Sequence, residues 1–405
     1  MGFFKTFILE IMCNTAYNIF KYSFIIGNLF MFKMIETPQL VLDKNRLEKN
    51  VKRFMALADE HDVLLRPHLK TSKSVDVADI ATGGQKSSVT VSTLKEADYF
   101  AAHGYVDILV AAGITPNKFD YAQSIIDEYD PDLCLITDDV SVAKSAVEFA
   151  EQKNCTLSFL IELDCGEHRG GVVLEDDDLV TIAKIFTDSN NINFKGVMTH
   201  AGHSYGTNDR TEVVKIAAIE NKAVVDAAAL LSGYGIDCDI TSVGSTPTFL
   251  FGENFDGVSE VRAGIYMFFD LSQFSRNVCA LNEIAVSVLA TVIGHNKSTG
   301  TLVLDAGMLA LSKDIGAHRF LPDAGYGYLC DAMTMKRLGS LCVNGVHQEH
   351  GSVNIIDDMW FDQMPVGSLV RILPNHACPT AAAYDQYLVV ENNKISGTWP
   401  RINGW

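Results

Sequence analysis

The strongest constraint on the fold is an alternation. After a first short β-rich run at 37–43, T-P-Q-L-V-L-D, the stretch 44–61 places Leu47, Val51, Phe54 and Leu57 on one helical face. Further β-rich runs then recur at 63–67, 88–91, 107–112, 133–137, 157–163, 194–199, 238–243 and 261–268. Between them lie stretches of helical spacing, such as 93–102, 140–151, 177–187 and 211–231. Strands separated by helical crossovers are the pattern of a parallel sheet, and eight of them make a (β/α)8 barrel. An open doubly wound sheet shows the same alternation, but it needs a G-x-G-x-x-G after its first strand. The octet that follows here, R-P-H-L-K-T-S-K at 66–73, contains no glycine. The expected fold is therefore α/β, a (β/α)8 TIM-type barrel over 34–275. Beyond Ser275 the strands at 284–293, 301–304, 341–343, 369–372 and 387–390 lack long helices between them. They imply a C-terminal β domain over 276–405, with which 37–43 can pair.

A chain of 405 residues that is 48% hydrophobic can bury one large core and a smaller one. Its formal charge of −18 argues against nucleic acid, since binding phosphates takes a concentrated positive surface. Nine cysteines without a short-spacing framework suit a reducing compartment, and the expected location is cytoplasmic. Residues 1–33 are rich in Phe, Ile and Leu, but Lys5, Glu10, Lys21 and Lys33 keep every charge-free run below the roughly 20 residues that span a bilayer. No small-residue cleavage site follows the apolar run at 22–32. The expectation is an extension outside the fold, with the true start at Met34; a membrane-surface anchor is the alternative.

Barrel enzymes keep their chemistry at the C-terminal ends of the strands. The first barrel strand ends at Lys70, where a lysine is placed to form an imine. The fifth runs into D-C-G-E-H-R-G, which presents Arg169. The sixth ends in M-T-H-A-G-H-S-Y, with His200, His203 and Tyr205 in one turn. The seventh ends in V-G-S-T-P-T, where Gly244, Ser245 and Thr246 offer backbone N–H groups and hydroxyls to an anion. The eighth carries Arg262, Gly264 and Tyr266. Each piece alone has a plain structural reading, as a turn, a core histidine or a surface ion pair. An anion site after the last strands, opposite a lysine on the first, has a recognised use in barrels. It suits a phosphorylated aldehyde held at one end and bonded to lysine at the other, which is pyridoxal 5'-phosphate.

These segments, with V-S-T-L-K-E-A-D-Y-F, V-R-A-G-I-Y, Q-E-H-G and P-N-H-A-C-P-T, resemble the pyridoxal-phosphate enzymes of the alanine racemase superfamily, in particular the D-serine dehydratase and D-threonine aldolase branch. The resemblance runs from about Thr37 to the C-terminus. It implies that Lys70 carries the cofactor, Arg169 lies near its phenolic oxygen, His200 packs on the ring and Tyr205 sits on the substrate side. Gly244, Ser245, Thr246 and Tyr266 would hold the phosphate. Arg262 matches the residue that touches the ring nitrogen in the racemases, a role this branch need not share. A homodimer is also implied.

His376-Ala377-Cys378 is the second informative feature. Read as a strand, this spacing points imidazole and sulfur to one face, a pair that suits zinc (Zn2+). In the family resembled, His-x-Cys goes with the zinc-binding dehydratases, whereas His-x-Asp goes with the manganese-using aldolases. His347-x-x-His350 is the competing pair. The expected activity is zinc- and pyridoxal-phosphate-dependent D-serine dehydration to pyruvate and ammonia. D-threonine or D-3-hydroxyaspartate aldolases and dehydratases are the alternatives, with a non-catalytic pyridoxal-phosphate carrier as an alternative of another class.

Overall fold

The computed structural model describes Phe32 and residues 35–405. Strand β1 (Gln39–Asp43) comes first, followed by the helix Lys44–Glu60, whose first turn is capped by the Asp43 carboxylate accepting from the Arg46 N–H at 3.1 Å. The helix buries Leu47, Asn50, Val51, Phe54 and Ala58. Eight strands then form one parallel sheet: β2 (Leu64–Leu65), β3 (Ser88–Val91), β4 (Asp107–Val110), β5 (Asp132–Thr137), β6 (Leu157–Leu163), β7 (Ile192–Thr199), β8 (Ile240–Val243) and β9 (Glu260–Val261), in the order β2-β9-β8-β7-β6-β5-β4-β3. This is the expected TIM-like sheet, with helices packed outside.

Both faces of its strands are buried, and the alternation sorts them. Ile108, Val110, Leu133, Leu135, Phe159, Ile161 and Val197 pack against the helices. Leu109, Cys134, Ile136, Leu160 and Met198 form a separate cluster on the other face. Strand ends β2 and β3 meet through a single bridge, His68↔Thr90. There the Thr90 N–H donates to Pro67 O at 2.9 Å and the Leu69 N–H to Thr90 O at 2.8 Å. Pro67 has no N–H to extend the ladder. The sheet thus closes on itself two residues before Lys70.

The remaining strands are β10 (Val286–Asn296), β11 (Thr301–Leu304), β12 (Gly327–Asp331), β13 (Arg337–Cys342), β14 (Gly345–Val346), β15 (Gly351–Asn354), β16 (Leu369–Pro374), β17 (Gln386–Glu391) and β18 (Lys394–Pro400). β1 lies in the middle of this second sheet, antiparallel to β10 and parallel to β17.

Two expectations change. The run 261–268 is not one strand: pairing stops at Val261, and Ile265–Met267 is a 3-10 turn. The reason is close packing, since a Cβ on Gly264 would stand 2.7 Å from His68 O. The strands β12, β14, β15 and β18 were not anticipated; they are short or interrupted by glycine. The expected extension lies outside the described residues except for Phe32, which is buried against a cluster containing Val41, Leu289 and Leu388. Met34 lies outside them as well. Among the described residues, no helix is long and apolar enough to cross a membrane.

Candidate active site

Lys70 stands on a tight turn directly after the barrel-closing bridge. The Lys73 N–H and Ser72 Oγ both donate to Leu69 O, at 2.8 and 3.2 Å, and Lys73 takes a left-handed φ of 46°. The helix Val75–Ala81 starts only afterwards. Lys70 is exposed, and among the described residues its Nζ makes no ion pair.

His200 follows β7. Its Nδ1 lies 2.5 Å from Gly244 O, and since a carbonyl only accepts, Nδ1 carries the proton and Nε2 is left as an acceptor. Burial, and after it the charges of Lys70, Arg262 and Arg169, push His200 down to about 3 despite that bond. His68 is held well below the usual histidine range by burial first and then by Lys70, Arg262 and His200. These shared influences put Lys70, His68, His200, Arg262 and Arg169 around one space. Arg262 is buried and donates through Nη2 to Thr199 O at 2.5 Å and through Nη1 to Ser242 Oγ. Ser242 Oγ in turn donates to Glu260 at 2.6 Å, and Glu260 pairs with Arg66 at 2.7 Å.

The segment after β8 differs from its expected use. The Gly244 N–H already donates to Glu220 Oε1 at 3.1 Å, and the Ser245 N–H to Thr248 Oγ1 at 3.2 Å. The Thr246 N–H points to Tyr205 Oη at 3.4 Å. What stays free is hydroxyl: among the described residues Thr246 Oγ1 and Tyr266 Oη are buried without hydrogen-bond partners. Gly244 is needed for room, since at its φ of +144° a Cβ would meet Arg262 O at 2.3 Å. Tyr266 is held flat by Phe54 of the first helix, with ring centroids 4.4 Å apart and planes 19° apart. Burial raises the Tyr205 phenol above its ordinary range. Arg169 lies at the rim, its side chain 59% exposed, with Nη1 3.4 Å from Glu167.

His376 and Cys378 are not on a strand. β16 ends at Pro374, His376 caps the short helix Ala377–Ala381, and Cys378 lies in its first turn. The helical start still brings the two together. His376 Nδ1 donates to Asp314 Oδ2 at 2.7 Å, and Cys378 Sγ lies 2.9 Å from Thr71 Oγ1. Burial alone would lower the His376 imidazole, but Asp314 and Cys378 outweigh it and hold it up at about 11. Burial would raise the Cys378 thiol, and His376 beside it brings it below its ordinary value. Among the described residues no group of three or more His, Cys, Asp and Glu side chains is arranged to hold a metal. His347 and His350 are exposed and join through backbone in a turn, His347 N–H to His350 O at 2.8 Å.

Residues 42–272 match the alanine racemase N-terminal domain, and 285–390 match a putative serine dehydratase domain. The chain belongs to the alanine racemase superfamily. Its relatives there are the dehydratases and aldolases of D-amino acids. It is 39% identical over 375 residues to a D-threo-3-hydroxyaspartate dehydratase of Delftia sp. (strain HT23), covering 92% of this chain and 98% of that one. It is 29% identical over 398 residues to a D-serine dehydratase of Dictyostelium discoideum, covering 92% and 98%. To a 3-hydroxy-D-aspartate aldolase of Paracoccus denitrificans (strain Pd 1222) it is 29% identical over 379 residues, covering 90% and 91%. The solved Delftia structure superposes with a TM-score of 0.89 at 38% identity, covering 93% of this chain and 100% of that one. That enzyme has also been solved with a histidine replaced by alanine and, in a metal-free form, with a cysteine two positions later replaced by alanine.

Pyridoxal phosphate, which this superfamily implies, fits the residues present: among the described residues Lys70 makes no ion pair, and the Thr246 and Tyr266 hydroxyls are buried and lack hydrogen-bond partners. Several residues around this superfamily site were not anticipated from sequence. Thr71 lies inside the R-P-H-L-K-T-S-K octet, and its adjacency to Lys70 is a usable signal. Asp314 and Glu220 carry no local signal; only the fold brings them to His376 and Gly244.

Proposed function

We propose that the protein is a zinc-assisted, pyridoxal-phosphate-dependent dehydratase of β-hydroxy D-amino acids. It would remove water across Cα and Cβ, and hydrolysis of the released enamine, which takes up one water, would give a 2-oxo acid and ammonia. The observation that carries this reading is the 2.9 Å contact between Thr71 Oγ1 and Cys378 Sγ. Elimination needs a base at Cα and an electrophile at the hydroxyl one bond away. The residue beside Lys70 touching the His-x-Cys pair supports that juxtaposition.

Bound pyridoxal phosphate would supply an electron sink for negative charge at Cα. Lys70 would hold the cofactor and then take the proton from Cα. Thr246 Oγ1 and Tyr266 Oη would donate to the phosphate, with Gly244 and Ser245 shaping its seat. His200, neutral across the working range, would lie against the ring, and Arg169 would face the phenolic oxygen. Tyr205 would border the substrate. His376, oriented by Asp314, and Cys378 would hold zinc, which supplies a Lewis acid for the departing hydroxide. Two protein ligands leave the other positions to water or substrate. That the Delftia enzyme's cysteine variant was solved in a metal-free form supports a metal at such a pair.

D-Serine is the simplest substrate and would give pyruvate. A second reading, D-threo-3-hydroxyaspartate giving oxaloacetate, is favoured by the greater identity to the Delftia enzyme. Among the described residues Cys134, Cys155, Cys165, Cys238, Cys279, Cys330, Cys342 and Cys378 form no disulfide, which supports a reducing cytoplasm, and the family resemblance supports a homodimer.

The test is to supply each D-amino acid and follow 2-oxo acid and glycine together, with chelator and after zinc is restored. Chelator-sensitive oxo acid upholds the reading, and its amount ranks the two substrates. Glycine in its place transfers the protein to the aldolases. Bound cofactor without turnover of either substrate would leave only the carrier, against which the β domain and the His-x-Cys pair already speak.

A further inference from the structure

Arg401 lies beyond both matched segments and is buried, only 7% exposed. Its guanidinium reaches two pieces of the site at once. Nη2 donates to Thr71 O at 3.1 Å and Nε to Ser72 O at 3.3 Å, the two residues that follow Lys70. Nη1 donates to Ala381 O, at the end of the helix that His376 caps, and to Tyr384 O at 2.9 Å. Around it, Tyr387 Oη donates to Ser72 O at 2.7 Å and the Ile402 N–H to Lys73 O at 2.8 Å. Among the described residues Arg401 makes no ion pair; its acceptors are neutral oxygens. Burying a charge without a counter-charge is a costly way to gain stability. What a guanidinium offers in return is several donors in a rigid plane, which hold several carbonyls at set separations.

We infer that Arg401 is a positioning residue that sets the distance between Lys70 and the His376–Cys378 pair. This rests on the dehydratase reading. The lysine turn belongs to the barrel and the His-x-Cys helix to the strands that follow it, and Thr71 to Cys378 is a single hydrogen bond between them. Arg401 grips the backbone on both sides of that bond. Removing the grip would let the two groups drift apart while leaving each intact. Reactions that need both then suffer, and reactions that need only Lys70 do not.

Solvent exchange of the α-proton needs only the base at Cα, whereas elimination also needs the group at the β-hydroxyl. The experiment measures both for one β-hydroxy D-amino acid in D2O, by following α-deuterium in recovered substrate and 2-oxo acid formed. Zinc and cofactor per subunit are measured on the same samples. For Arg401→Ala, elimination is expected to fall about 10²-fold, the effect of a misplacement of ~1 Å. Exchange should stay within about threefold, with cofactor and zinc contents unchanged. Arg401→Lys, which keeps the charge without the planar fork, should fall between. Tyr387→Phe, which removes one hydroxyl and leaves the ring packed, should lower the elimination-to-exchange ratio by a few-fold in a folded protein. Equal falls in exchange and elimination, or falls that track lost cofactor, would make Arg401 and Tyr387 merely structural and overturn the inference. Wild-type protein that forms no oxo acid at all sinks the dehydratase reading, and the inference with it.

Discussion

The two walls of the site treat their polar groups in opposite ways. On the barrel wall, His68 Nδ1, Thr90 Oγ1, Thr246 Oγ1 and Tyr266 Oη are buried without partners among the described residues. On the facing wall the groups satisfy one another: His376 bonds Asp314, Cys378 bonds Thr71, and Arg401 bonds a set of carbonyls. A buried group left unpaired costs about 1–3 kcal/mol, and native proteins keep few of them. The barrel wall therefore carries a cost that a phosphate and a pyridine ring can relieve. A ligand at the His-x-Cys pair must instead break contacts already made. Cofactor binding should then stabilise the fold strongly, while metal binding adds less stability and acts chiefly on the leaving group.

The sharpest way to separate the walls is to remove one reactive group from each. In Lys70→Ala, oxo-acid formation should fall by roughly 10²–10⁴-fold, the usual worth of a positioned base, and α-deuterium exchange should fall with it while zinc content is unchanged. In Cys378→Ala, elimination should fall about 10²-fold or more, because Lewis-acid assistance is worth several kcal/mol. Exchange should persist and zinc should be lost. If Cys378→Ala abolishes exchange as completely as Lys70→Ala does, the walls do not divide the labour as described.

The same contrast explains what could be read from the residues. The barrel wall is made of strand ends, where a short contiguous string such as V-G-S-T-P-T carries its own chemistry, and alternation alone predicted the sheet that gathers those strings. The facing wall is assembled from Asp314, the His376–Cys378 pair and Arg401, and meets the barrel at Thr71; beyond that pair no local spacing connects them. His376-x-Cys378 was legible as a pair, although a helix start rather than a strand brings its members together. Thr246 and Tyr266 were legible as candidates for the phosphate site, and their hydroxyls are buried without hydrogen-bond partners among the described residues. That the Gly244 N–H is already taken was not legible, because its acceptor Glu220 arrives from the middle of the helix Arg210–Ser232, whereas the Ser245 N–H is taken by Thr248 within the same string. The β-rich run 261–268 misled because its residues are buried by packing, Gly264 against His68, Tyr266 on Phe54 and Phe268 on Tyr387, which composition cannot distinguish from pairing.

A smaller effect sharpens the account of the barrel wall. Thr246→Val and Tyr266→Phe should each weaken cofactor binding by roughly tenfold or somewhat more, since a hydrogen bond to a charged group contributes about 1.5–3 kcal/mol. The cofactor-free proteins should be as stable as wild type or slightly more so, because an unpaired buried hydroxyl has been replaced by carbon. Cofactor titration and thermal denaturation of the cofactor-free proteins read the two effects separately. Destabilisation of the cofactor-free variants by more than about 1 kcal/mol would mean that these hydroxyls have partners in solution, and the difference between the walls would shrink accordingly.

His200 extends the contrast to pH with the smallest effect. In the folded protein burial and the neighbouring cations hold it at about 3, whereas in the unfolded chain it titrates near 6.5. Between those values the unfolded chain binds a proton that the folded one refuses, so acid favours unfolding by about 1.4 kcal/mol per pH unit. Above about 6.5 both forms are neutral, and the contribution is flat. His68, also depressed, adds a slope of the same sign that a change at His200 leaves largely in place. Urea denaturation of cofactor-free wild type and His200→Asn isolates the difference. Wild type should lose about 1 kcal/mol more than the variant between pH 6.5 and 5.5, where the unfolded-state proton uptake is still incomplete, and the two should run parallel between pH 7.5 and 8.5. Parallel curves throughout would mean that His200 takes up its proton in the folded protein as readily as in the unfolded chain. In that case the space it shares with Lys70 and Arg262 is wetter and less positive than the packing of Gly244 and Arg262 implies.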